Sequence, residues 1–170
     1  IHRLGLQPRR TLRVVLWTNE ENGLGGGKAY REWVGDDIDS HVAAIEMDGG
    51  AERPVGFGLG LGMGEEDAPD AAYEKALSTL NQIGALLDGI DASLMERGGG
   101  GADIGPLMKD GVPGMGLRTV GEHYFDWHHT EADTLDKVDP INFRKAVATL
   151  GVTGYILADM PGTLPRGDSE

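Results

Sequence analysis

The run Leu12-Arg13-Val14-Val15-Leu16-Trp17, followed at once by Thr18-Asn19-Glu20-Glu21-Asn22-Gly23, constrains this chain more than any other stretch. Its first half is short, apolar and rich in β-branched and aromatic residues. Pro8, Arg9 and Arg10 precede it and a glycine-rich segment follows. That pattern predicts a buried strand. The strand would deliver two adjacent carboxylates at its C-terminal end, the edge of an open α/β sheet where ligands bind. Successive residues at a strand end point in different directions, so Glu20 and Glu21 are not expected to share a job. One can hold a metal while its neighbour handles a proton. Alone, such a pair is more often a solvated acidic turn, so the rest of the chain has to decide.

A length of 170 residues is enough for one domain with a real core. The net charge of −13 makes nucleic acid and anionic membrane poor partners and favours cationic ligands, metal ions among them. There is no cysteine, hence no disulfide framework and no thiolate zinc site. Any metal must use His and carboxylates. The apolar runs fall far short of the ~18 residues a membrane span needs. The first residues carry no signal-like pattern. Gly5-Leu6-Gln7-Pro8 reads as a helix end and a turn, so the chain reads as beginning in mid-protein.

Strands and helices alternate along the chain, which argues a layered α/β fold. Residues 23–34 read as a loop entering a helix. Gly25-Gly26-Gly27 lacks the P-loop ending and the Rossmann spacing and follows two anionic residues, so tight backbone packing outranks a phosphate cradle. Residues 41–48 read as a second strand ending in Asp48, and 55–61 as a glycine-weakened strand. Residues 70–87 read as an amphipathic helix with Asp70 as N-cap. Short strands follow at 92–95 and 112–118, the latter after the glycine loop 98–101. An aromatic loop occupies 124–130. Residues 139–160 read as a long helix with Pro140 in its first turn and Ile141, Val147, Leu150, Val152 and Ile156 as its apolar face. Residues 164–170 read as a frayed tail.

Glu20, Glu21, Asp48 and His129 therefore stand at loop or strand-end positions, and carboxylate with imidazole suits zinc. Zinc hydrolases need a metal to acidify water and a carboxylate to carry the proton. An isolated histidine is more often structural, but His129 lies in His128-His129-Thr130-Glu131-Ala132-Asp133-Thr134, where Asp133 can orient the imidazole or the loop.

Taken together, Trp17-Thr18-Asn19-Glu20-Glu21-Asn22-Gly23, Ile45-Glu46-Met47-Asp48-Gly49-Gly50, Gly101-Ala102-Asp103-Ile104-Gly105-Pro106-Leu107 with Gly111-Val112-Pro113, and His128-His129-Thr130 to Asp133-Thr134 resemble the co-catalytic zinc exopeptidases of the leucyl aminopeptidase and carboxypeptidase Q-like kind. All four motifs stand in that family's order and spacing, over nearly the whole chain. The resemblance implies an α/β fold: a mixed sheet flanked by helices on both faces, incomplete at the N-terminus. Residues 1–163 would be the C-terminal part of a catalytic domain and 164–170 a tail. It implies Glu20 as general base, Glu21 and His129 on one zinc, and Asp48 on the second. Asp103 would line the substrate pocket, contacting a peptide terminus or supporting the site.

The family also needs an upstream His-x-Asp and a bridging Asp, and neither is here; His2 has no Asp two residues later. Those ligands are expected before Ile1. The expectation is thus a fragment of an aminopeptidase or dipeptidase acting on short peptides. It would hold few or no zinc ions where the complete enzyme holds two, be inactive alone, and self-associate as a homodimer through exposed edges. The resemblance favours a secreted or periplasmic location. The rival reading is a non-catalytic relative that uses the same fold as a binding or dimerisation module. The zinc reading requires Glu21, Asp48 and His129 to meet at the C-terminal edge of the sheet with Glu20 beside them.

Overall fold

The structure, a computed structural model, describes residues 1–50, 52–62 and 70–167. Four strands, β1 (Ala44–Glu46), β2 (Pro54–Gly60), β3 (Leu94–Arg97) and β4 (Gly114–Thr119), form one sheet in the order β1-β4-β2-β3. β1 runs parallel to β4, with Glu46 opposite Gly116, and β2 runs parallel to β3. The two halves join antiparallel, β2 against β4. The sheet is mixed, as expected.

The period of two along β1 shows why helices cover both faces. Ala43, Ile45 and Met47 pack into a cluster with Phe57, Leu59 and Leu61 of the sheet. Helix α2 (Asp70–Gly84) adds Tyr73, Ala76, Leu80 and Ile83 to that cluster, and α5 (Pro140–Asp159) adds Ala146 and Leu157. Ala44 points the other way, into a smaller cluster of Val34, Ile38, Leu107 and Val112. This second face belongs to α1 (Gly25–Val34) and the short α3 (Gly105–Met108). By the same parity Glu46 lies on the α1 and α3 side.

Helix α5 is built as its sequence predicts at the start. Asp139 caps it, accepting from the amides of Ile141 (2.9 Å) and Asn142 (2.7 Å), and Pro140 follows in the first turn. Its buried face is only partly the expected one, for Leu150 and Ile156 pack against the main cluster as expected. Ile141, Val147 and Val152 are exposed, whereas Ala146, Thr149, Thr153 and Leu157 are buried. Small side chains let the helix lie close to the sheet, and the Thr149 hydroxyl satisfies itself on Lys145 O.

Three other expectations are corrected. Residues 12–17 form no strand. Val14 and Leu16 are 89% and 88% exposed, and residues 11–17 make no backbone hydrogen bond to backbone among the described residues. Apolar alternation marks a strand only where a neighbouring strand pairs with it, and none does here. The segment is held at its ends instead. Arg10 donates to Ala158 O through its amide and to Met160 O through its guanidinium, and Thr18 O accepts from Gly26 N. Arg13 bonds the Tyr30 hydroxyl at 2.7 Å. Asp70 is the first helical residue, with its carboxylate on Arg97 rather than on the helix amides. The tail is docked as far as described: Leu164 is 2% exposed, Arg166 donates to His41 O and Asp110 O, and Gly167 N bonds Gly111 O.

Arg31 of α1 grips Asp110, after α3, with Nε on one carboxylate oxygen and Nη2 on the other at 3.0 Å. That hydrogen bond holds the Asp110 carboxyl below the usual carboxylate range. A carboxylate with a lowered folded-state pKa stabilises the fold above its unfolded value and loses that contribution as pH falls through the folded value. Asp110→Asn should therefore cost about 0.5–1 kcal/mol at neutral pH, the pair being a third exposed. The difference should shrink below about pH 4. Thermal melts of both proteins at pH 7 and in acid read it directly.

Candidate functional site

The turn that carries Glu20 and Glu21 is fixed from both sides. Gly23 N and Leu24 N both bond Glu20 O, at 3.0 and 2.9 Å, while Gly25 N and Gly26 N reach back to Asn19 O and Thr18 O. Asn19 and Leu24 take left-handed backbone to make the reversal. Helix α1 then begins on bare glycines because Gly25 and Gly26 lie directly against Asn19 and Thr18, and Gly27 against the loop before α3. A Cβ on Gly27 would overlap Asp103 O. The glycine run is thus a packing device, as expected, and it sets the Glu20–Glu21 turn beside Asp103.

His129 arrives from the other side. Beyond β4 the chain makes the short helix α4 (Tyr124–Trp127) and then turns at His129, which has φ of 58°. The rings of Tyr124, His128 and His129 stack in series, with centroids 4.4 and 3.9 Å apart. The stack aims His129 at Glu21, and its Nε2 lies 2.7 Å from Glu21 Oε1 across 108 residues of sequence. Both side chains are open to solvent.

Asp48 follows the end of β1, at the same edge. Its charge acts on Glu20, Glu46, Asp103 and Tyr124. The Glu20 carboxyl is pushed above the usual range, first by desolvation and then by the charges of Glu21, Asp103 and Asp48, with His129 opposing. Asp103 is pushed up by burial and by Asp48, and one of its oxygens, Oδ1, is buried with no hydrogen-bond partner. The Tyr124 phenol rises through desolvation and the charges of Asp48, Glu21 and Asp133.

The structure therefore brings Glu20, Glu21, Asp48, Asp103 and His129 to one edge of the sheet. Asp133 shares the loop of His129, its amide on Thr130 O, and makes no hydrogen bond to the imidazole among the described residues. Two residues at this edge had no assigned role in the sequence reading. Tyr124 was visible five residues before His129, and Glu46 as an acid on a buried strand two residues before Asp48, on the same side of the strand.

Imidazole nitrogen and carboxylate oxygen are suitable zinc donors, and Glu21 with His129 forms such a pair. The kind of donor fits, but the number is short. Among the described residues no three His, Cys, Asp or Glu side chains stand close enough to hold one ion.

Comparison with known proteins gives one consistent result. The model of peptidase family M28 matches residues 2–153. Carboxypeptidase Q of Mus musculus is 34% identical over 163 residues, covering 96% of this chain and 32% of the relative. That of Homo sapiens is also 34% identical over the same span, and that of Xenopus laevis 36%. The chain thus spans about a third of the length of these relatives. Among solved structures, a peptidase M28 precursor from Shewanella amazonensis superposes with a TM-score of 0.78 at 30% identity, covering 97% of this chain and 35% of that one.

The electrostatic coupling at this edge has a direct readout. Glu21 is the strongest of the charges raising Glu20, so Glu21→Gln should lower the Glu20 pKa toward the ordinary value. Carboxyl-carbon NMR titration of both proteins measures it, and an unmoved Glu20 would remove Glu21 as a cause.

Proposed function

The chain belongs to peptidase family M28, and on that premise we propose that it carries part of the active site of a zinc-dependent exopeptidase that removes terminal residues from short peptides as an aminopeptidase or dipeptidase. The observation that carries this reading is the 2.7 Å approach of His129 Nε2 to Glu21 Oε1, with Glu20 next in sequence. A solvated acidic turn would have no reason to collect an imidazole from 108 residues away.

In this reading Glu21 and His129 would hold one zinc ion and Asp48 would contribute to a second, and the ions would supply Lewis-acid polarisation of the scissile carbonyl and a more acidic attacking water. Glu20 would take a proton at its carboxylate and pass it to the leaving amine. Its raised pKa suits the task, since a general base works best when its pKa approaches the working pH. The peptide termini would be read near Asp103 and Tyr124, and Asp133 would steady the His129 loop. Nucleic acid has no place on so acidic a chain. A secreted or periplasmic location accompanies the likeness to carboxypeptidase Q. Among the described residues no helix is long and apolar enough to cross a membrane.

Two outcomes test the reading. In the full-length enzyme, Glu20→Gln should keep zinc and lose ~10²–10⁴-fold in turnover, whereas Glu21→Gln should lose zinc. Equal metal contents in the two variants would overturn the division of roles. The 170-residue chain alone should bind zinc weakly and hydrolyse no amino-acid amide, because a catalytic site normally keeps three protein ligands. Titration calorimetry with zinc and a chromogenic amide assay check both. A full-length protein without turnover would instead favour a binding or dimerisation module.

A further inference from the structure

We infer that Glu46 is a positioning residue of this site: its buried carboxylate seats the turn 101–104 and so fixes where Asp103 stands beside Glu20 and Asp48. The inference rests on the exopeptidase reading for its consequence in catalysis, though not for the contact itself.

Glu46 is 6% exposed, on a strand whose neighbours on both faces are apolar clusters. Burying a carboxylate costs free energy unless donors meet it. Here the donor is backbone: Oε2 accepts from Ile104 N at 3.0 Å. An apolar side chain would fill the space without bonding that amide.

The glycine loop explains itself in the same contact. A Cβ on Gly101 would fall on the Glu46 carboxylate, so the chain crosses that group with no side chain between them. The peptide joining Asp103 to Ile104 is consequently held on two sides. Its N–H, that of Ile104, meets Glu46, and its C=O, that of Asp103, lies against Gly27 of α1. Asp103 Oδ1 sits buried without a partner.

The test uses the full-length protein loaded with zinc. Glu46→Gln keeps an acceptor oxygen for Ile104 N and should retain most activity. Glu46→Ala should lose about 100-fold in kcat/KM, the size of effect expected from misplacing a site group by about 1 Å. The loss should fall chiefly in kcat, with zinc content unchanged. Gly101→Ala should do the same alone, yet add little in the Glu46→Ala background, because the truncation vacates the space its methyl needs. Hydrogen exchange supplies a readout independent of activity: the amide of Ile104 should exchange faster in Glu46→Ala and not in Glu46→Gln. Wild-type kcat/KM in Glu46→Ala, equal damage in the Gln and Ala variants, or full additivity with Gly101→Ala would overturn the inference. If the wild-type full-length protein shows no peptidase activity, the exopeptidase reading falls, and the exchange data alone then decide whether Glu46 clamps the turn.

Discussion

Helix α1 meets the loop before α3 backbone to backbone, Gly27 against Asp103 O, and the geometry of the whole edge depends on that approach. No side chain fits between them. The helix start can therefore sit where it hands the Glu20–Glu21 turn to the loop, and the turn's own hydrogen bonds, Gly23 and Leu24 on Glu20 O, hold it there. A second stabilising contact, Arg31 on Asp110, ties the far end of the same helix to the chain beyond α3. The carboxylates thus rest on a frame set by glycines that let backbones touch and by one ion pair.

Electrostatics at this edge work against the isolated chain. Glu20, Glu21, Asp48 and Asp103 share a small region, and His129 is the one group there that lowers the Glu20 pKa. The arginines near the start of the chain lie elsewhere, spent on anchoring segment 11–17: Arg10 on the end of α5, Arg13 on Tyr30 and over the Trp33 ring. Excess negative charge of this kind is relieved by protons or by cations.

Segment 11–17 shows the limit of local pattern. Its alternation of Leu12, Val14 and Leu16 is that of a strand, but its amides and carbonyls lack a ladder, Val14 and Leu16 face solvent, and Trp17 packs on Tyr30 instead of on a sheet. Strand character is cooperative between neighbours, and no window on one segment contains the neighbour. The same reason governs α5. Its helical period, cap and bounds were visible, whereas its buried face was decided by how closely the sheet approaches, which selects Ala146, Thr149 and Thr153 over Ile141 and Val147.

The sequence by itself determined the alternation of strands and helices, the mixed α/β class, the start of α5 at Asp139, and the identity of Glu20, Glu21, Asp48 and His129 as the groups of interest, because periodicity, capping and motif spacing are local properties. Only the tertiary structure decided that His129 stacks on His128 and reaches Glu21, that Asp103 is buried against α1, and that Glu46 lies under Gly101. Those are relations between segments that are far apart in the chain, set by which backbones can approach closely enough to touch, and sequence spacing carries no measure of that distance.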